Sequence, residues 1–289
     1  MTVLDIVSKI LLPIGLIIVM FGMGLTLTIA DFKRVFKHPK AGLVGILGQL
    51  LLLPLVGFLF INIFEFPPEI AVGIMIVAAC PGGIISNVIV FSGKADTALS
   101  ISLTAINSFI TVFTIPLIVK FGLVWVYGEG EAPDLPVLQT MGMLFSLTIL
   151  PVAIGMITGK RFSRFAVRSE PVFRQVGTVM LIFFIIFAVW GEIDFIMKNL
   201  AQVAPMSLLF NLVMMCIGFF LATIFSLELL QKITITVEIG VQNNTLAFLI
   251  ALTILNNRQF MIFSAFYGIL MMITGFAFVT WFRKTRIEQ

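Results

Sequence analysis

Nine apolar stretches, each about twenty residues or longer, follow one another with only short polar segments between them: 6–29, 41–64, 69–91, 97–119, 137–158, 172–191, 203–227, 233–255 and 260–282. About 20 apolar residues are what a helix needs to cross the hydrocarbon core of a bilayer. Only helices or closed barrels can satisfy their backbone there, and these stretches are too long for barrel strands. The pattern predicts an all-α polytopic membrane protein with nine transmembrane helices. No linker or soluble segment interrupts it, so residues 1–289 are expected to form a single transmembrane domain. Charged residues make up 11% of the chain, against about 25% in soluble domains, which excludes a water-soluble enzyme. The net charge of +4 does not point to nucleic acid, because the basic residues lie between apolar runs rather than along one stripe.

Those basic residues orient the chain. The first run is followed by Lys33, Arg34, Lys37 and Lys40 and has only Lys9 near its start, so it reads as a span and not as a signal peptide. With the N-terminus outside, the inner side receives that cluster together with Lys94, Lys160, Arg161, Arg164, Arg168, Arg174, Lys232, Arg283, Lys284 and Arg286. The outer side keeps only Lys9, Lys120, Lys198 and Arg258. Cytoplasmic loops are enriched in Lys and Arg, so an odd number of spans is expected, with the C-terminus cytoplasmic and the protein in the cell (inner) membrane.

One acid breaks the pattern. Glu238 lies within the eighth stretch, where a carboxylate costs a few kcal/mol, and the only Lys or Arg inside the other stretches, Lys9 and Arg174, stand near stretch ends and not at its depth. Either a proton or a bound cation must neutralise it. The third stretch is interrupted by Cys80-Pro81-Gly82-Gly83, followed by Ser86-Asn87. Proline removes a backbone donor and glycine is a poor helix former, so the helix should break there. Broken backbone at membrane depth is tolerated only where it faces protein or lines a cavity. The third and eighth stretches are five spans apart and so run in opposite directions. Interrupted helices in inverted repeats are the mark of a secondary transporter. The spans would divide four plus five, with repeat one over about 6–119 and repeat two over about 137–282. Oxygen-bearing side chains suited to a hard cation gather near both breaks: Ser86, Asn87, Ser100 and Thr104, Gln49, and Gln242 beside Glu238.

Several segments resemble the bile acid:sodium symporter family, in a bacterial-type form: Phe21-Gly-Met-Gly-Leu-Thr-Leu27, Phe36-Lys-His-Pro-Lys40, Pro68-Glu-Ile-Ala-Val-Gly73, the Pro-Gly-Gly with Ser86-Asn87, and Glu238-Ile-Gly with Gln242-Asn243. The resemblance implies a core domain moving against a panel domain, with the two broken helices crossing in the core. It also implies two sodium ions. One would be held by Ser86, Asn87, Ser100, Thr104 and Glu238. The other would be held by Gln49, Glu238, Gln242 and the carbonyls of Ile239 and Val241. Substrate-facing positions carried over are Ile84, Asn243, Asn244 and Tyr267. Two of these depart from the family pattern: Ile84 stands where some members have Thr, and Tyr267-Gly268 where some bacterial members have His-Asn. The implied activity is sodium-coupled import of an organic anion, bile acid-like or a smaller carboxylate. The rival is a metalloid or organic anion exporter of the related arsenite-transporter type, for which Cys80 would matter. No metalloprotease, phosphate-loop or Ser-His motif suggests an enzyme.

Overall fold

The computed structural model describes residues 3–287. The side chains of Arg174 and Arg286, two of the basic residues expected on the inner side, lie outside the described residues. Among the described residues the protein is helical, with no strand beyond one isolated two-residue bridge.

Seven helices among the described residues are long and apolar enough to cross a membrane. We label them with the shorter helices in chain order: α1 (Val7–Thr26), α2 (Ile29–Lys37), α3 (Pro39–Ile63), α4 (Pro68–Ala79), α5 (Ile84–Ser92), α6 (Thr97–Tyr127), α7 (Val137–Arg161), α8 (Ser163–Phe187), α9 (Ile193–Ile224), α10 (Leu229–Gly240), α11 (Asn244–Ile254) and α12 (Gln259–Lys284). The third and eighth apolar stretches are the divided ones, as α4–α5 and α10–α11. The segment after α1 is itself a helix, which hydropathy alone reads as a loop. Thr28 starts it, its backbone N–H and Oγ1 both donating to Asp31 Oδ2 at 2.7 Å.

Polarity is inverted relative to a soluble protein. On α3 the exposed row is Leu43, Leu47, Leu51, Leu55, Leu59 and Ile63, spaced one turn apart. On α6 it is Phe109, Phe113, Leu117, Phe121 and Trp125, while Ser100, Thr104, Asn107 and Thr111 of the same helix are buried. Lipid takes the apolar rows, and the polar atoms turn inward to find partners.

Among the described residues, besides the π-type turn Ile250–Ile254 that ends α11, three helices widen into a π-type turn followed by proline, at Val7–Leu11, Gly48–Leu52 and Phe145–Ile149. Each of these turns is followed by Leu-Pro: Pro13, Pro54 and Pro151. A proline ring presses on the carbonyl four residues earlier, and that residue falls inside the wide turn in all three. Helix α1 packs against α7 and α8. The contact with α7 is backbone to backbone, since a Cβ on Gly24, Gly155 or Gly159 would strike the carbonyl of Val152, Phe21 or Leu25.

The breaks follow from local chemistry. Cys80 precedes a proline, which excludes it from the helical region; it is extended, at φ −75° and ψ 147°. At the second break Val241 is extended at φ −123° and ψ 109°. The two breaks bond to each other: Gly82 and Gln242 form an antiparallel bridge, and Asn243 N–H donates to Pro81 O at 2.8 Å.

Candidate functional site

Glu238 is fully buried in the last turn of α10, beside this bridge. Its partners come from α6, and the register is set one turn earlier. Asp96 caps α6 by accepting from Leu99 N–H at 3.0 Å, and its own N–H donates to Thr234 Oγ1 of α10 at 3.0 Å. One turn onward on both helices, Ser100 faces Glu238. Ser100 Oγ lies 2.5 Å from Glu238 Oε1 and Thr104 Oγ1 lies 3.1 Å from Glu238 Oε2. The same hydroxyls approach Asn87 Oδ1 of α5, at 2.7 and 3.4 Å.

This cluster holds more acceptors than hydrogens. Each hydroxyl carries one proton yet faces two acceptor oxygens, so carboxylate and amide oxygens crowd together with too few donors. A hard cation relieves such a set, because it takes oxygen ligands only. Gly82 lets the first break approach this cluster closely: a Cβ there would sit 2.7 Å from Glu238 Oε2, 3.0 Å from Gln49 Nε2 and 3.4 Å from Ser86 Oγ. Ser86, whose Oγ donates to Gly83 O at 2.7 Å, stands beside the same glycine. Among the described residues no group of three or more His, Cys, Asp and Glu converges, so the donor set suits an alkali cation rather than zinc.

The second expected set meets at the end of α10. Gln49 stands in the wide turn of α3, and its Nε2 donates to Glu238 O while its Oε1 accepts from Asn107 Nδ2. Gln242 folds back, Nε2 to Ile239 O at 2.8 Å, which leaves its buried Oε1 without a partner. Thus all the named side chains of both sets are brought together around the breaks, with Gln49 meeting the backbone of Glu238 and not its carboxylate. Asn107 escaped the sequence reading. Its signal was there, one turn beyond Thr104 on a helix whose other polar residues share that face.

Of the substrate-facing positions, three gather and one does not. Ile84, Asn243 and Asn244 line a cavity of about 170 Å³, closed on its far side by Val19, Gly177 and Met272. A neighbouring cavity of about 280 Å³ shares Ile84 and Val88 and reaches Asn87 and Phe173. Asn243 caps α11 by accepting from Leu246 N–H at 3.1 Å. Tyr267 stands apart from both cavities. It is fully buried, its ring packed on Phe210 and Phe263, and its hydroxyl donates to Gly240 O at 2.8 Å.

Comparison with known proteins gives the family. The family model described as the Sodium Bile acid symporter family matches residues 13–199. An uncharacterized sodium-dependent transporter of Bacillus subtilis is 28% identical over 235 residues, 81% of this chain and 71% of the relative. A probable chloroplastic sodium/metabolite cotransporter of Oryza sativa is 28% identical over 279 residues, 95% of this chain and 64% of the relative. The human ileal sodium/bile acid cotransporter is 29% identical over 250 residues, 84% of this chain and 69% of the relative. The chain thus spans a little under two thirds of the rice protein's length. These relatives are transporters, as a multi-pass membrane protein with no catalytic motif would suggest. Since the matched model covers well over half of its length, the chain belongs to the sodium bile acid symporter family, a family of sodium-dependent transporters.

Proposed function

We propose that this protein is a sodium-coupled secondary symporter that imports a small organic anion by alternating access, with two sodium ions per substrate. One observation carries the reading: a fully buried carboxylate, Glu238, sits among Ser100, Thr104 and Asn87 where two interrupted helices meet. The first ion takes oxygens from Ser86, Asn87, Ser100, Thr104 and Glu238. The second takes Gln49, Gln242, Glu238 and the carbonyls of Ile239 and Val241. In this reading α4–α5 and α10–α11 each cross the bilayer, making nine crossings in a four-plus-five inverted repeat, N-terminus outside, in the cell membrane. Helices α1, α7 and α8 form the panel, and the remaining spans form the core.

The anion is supported by helix polarity. Both α5 and α11 begin at the 170 Å³ cavity, through Gly83-Ile84 and Asn243-Asn244. A helix N-terminus carries roughly half a positive charge and unpaired N–H groups. Coupling runs through two shared residues, because Asn87 and Gln242 each border a cavity and belong to a cation set. With two sodium ions and one monoanion, one net charge crosses, worth about 2.3 kcal/mol per 100 mV. Two tenfold sodium gradients add about 2.8 kcal/mol. The sum of about 5 kcal/mol sustains a substrate gradient of about three to four decades.

Thermal melting of the purified protein tests this directly. At fixed ionic strength, replacing potassium by sodium is expected to raise the melting temperature, by the equivalent of about 2.7 kcal/mol at a hundred times the dissociation constant. Equal melting in the two salts would overturn sodium coupling. Cys80 separates import from thiol-dependent export. Its side chain is buried and free, and Cys80→Ser is expected to keep more than about half of sodium-driven uptake in proteoliposomes, with a stability loss of about 1 kcal/mol for the buried hydroxyl. Loss of transport in a folded Cys80→Ser protein would assign the thiol to the cargo.

A further inference from the structure

Beyond Val237, the end of α10 leaves three carbonyls without the N–H that a continuing helix would supply. Val237 O takes Val241 N–H at 2.9 Å. Glu238 O takes Gln49 Nε2, and Ile239 O takes Gln242 Nε2. Gly240 O is treated differently. It accepts twice, from Asn211 Nδ2 of α9 at 2.7 Å and from the Tyr267 hydroxyl of α12 at 2.8 Å. The Asn211 amide is locked in turn, since Thr274 Oγ1 of α12 lies 2.6 Å from its Oδ1. That contact leaves Nδ2 facing Gly240. Asn211 and Tyr267 are fully buried, and Gly240 itself has no room for a Cβ, which would strike Met215.

The difference has a consequence for cation binding. Gln49 and Gln242, which hold the Glu238 and Ile239 carbonyls, are themselves in the proposed cation set, so their bonds must rearrange when an ion enters. Asn211, Tyr267 and Thr274 are outside that set, and their bonds need not change. We infer that Asn211, Tyr267 and Thr274 form a positioning site that pins the Gly240 peptide, so that the flanking Ile239 and Val241 carbonyls stay aimed at the second cation while their other partners exchange. The inference rests on the sodium reading above. It assigns Tyr267 to the backbone of the second break and not to the substrate cavity.

The test is a sodium titration of melting temperature in potassium-balanced buffer, on the full-length protein and three variants. Tyr267→Phe removes one oxygen and keeps the ring, and Asn211→Ala removes both the donor and the lock. Thr253→Val is the structural control. It deletes a half-buried contact, Thr253 Oγ1 to Ser8 O at 2.5 Å, away from the Gly240 peptide. Tyr267→Phe is expected to raise the sodium concentration at half-effect about three- to tenfold, the range of one lost hydrogen bond. Asn211→Ala is expected to raise it further. Thr253→Val should lower the sodium-free melting temperature and leave the sodium midpoint unchanged. If both site variants melt lower but keep the wild-type midpoint, their role is only structural and the inference fails while the sodium reading stands. If the wild-type protein itself shows no sodium-specific rise, the sodium reading fails and this inference with it. Should Asn211→Ala not fold, Tyr267→Phe decides alone.

Discussion

Glu238→Gln is expected to abolish the sodium-specific rise in melting temperature and to leave the sodium-free protein at least as stable as the parent. The carboxylate is fully buried and its oxygens face the hydroxyls of Ser100 and Thr104. Next to a cation, one full charge is worth about 4 kcal/mol at 4 Å and an effective dielectric of 20. Its removal therefore weakens binding by roughly a thousandfold, which places the midpoint beyond any practical salt concentration. The sodium-free protein loses nothing comparable. A neutral amide of the same shape replaces a buried carboxylate that no Lys or Arg among the described residues pairs with, and removing an uncompensated buried charge is favourable. A differential melt in sodium and potassium reads both effects at once. A retained sodium response in Glu238→Gln would remove the carboxylate from the cation site. Intact uptake with no sodium dependence would point to proton coupling instead.

Gly82→Ala should have the second largest effect, and its neighbour supplies the contrast. The added methyl would lie 2.7 Å from Glu238 Oε2 and 3.0 Å from Gln49 Nε2, between residues of both proposed cation sets. Packing extra atoms into such a site costs about 1–3 kcal/mol. The same methyl also occupies the volume a cation would take, so a loss of sodium affinity of at least about tenfold is expected beside the drop in melting temperature. Gly83→Ala meets only ordinary contacts at 3.4 Å with Asn243. It should change the sodium midpoint less than about threefold, a shift below 1 kcal/mol. Gly142→Ala, where no atom lies within 4 Å, serves as a neutral reference. Equal sodium midpoints for Gly82→Ala and Gly83→Ala would show that no ion binds beside Gly82.

Much of this site was legible without coordinates. Glu238 stood out because hydrocarbon penalises charge, and Pro81 because a proline in an apolar run must end or bend its helix. Ser100 and Thr104 followed from one-turn spacing. Asn107, Asn211 and Thr274 were passed over, since single polar residues in long apolar helices are commonly satisfied within their own helix. Only packing revealed that Asn211 reaches a carbonyl on another helix. Tyr267 was carried over as substrate-facing from the family resemblance alone; its hydroxyl donates to the Gly240 carbonyl. The helix Ile29–Lys37 was hidden for a different reason: its charged residues sit outside the hydrocarbon, where hydropathy carries no helical signal.

The sequence by itself determined that this chain is a bundle of apolar helices, because the length and scarcity of charge of each stretch answer directly to the thickness and dielectric of a bilayer. It also determined where two of those stretches are interrupted, because proline and glycine act on the backbone locally. The tertiary structure alone decided which donor meets which freed carbonyl. Gln49 reaches Glu238 across 189 residues, and Asn211 reaches Gly240 across 29. Such pairs depend on how whole helices register against one another, and a buried polar group accepts whichever partner that packing brings within hydrogen-bond distance.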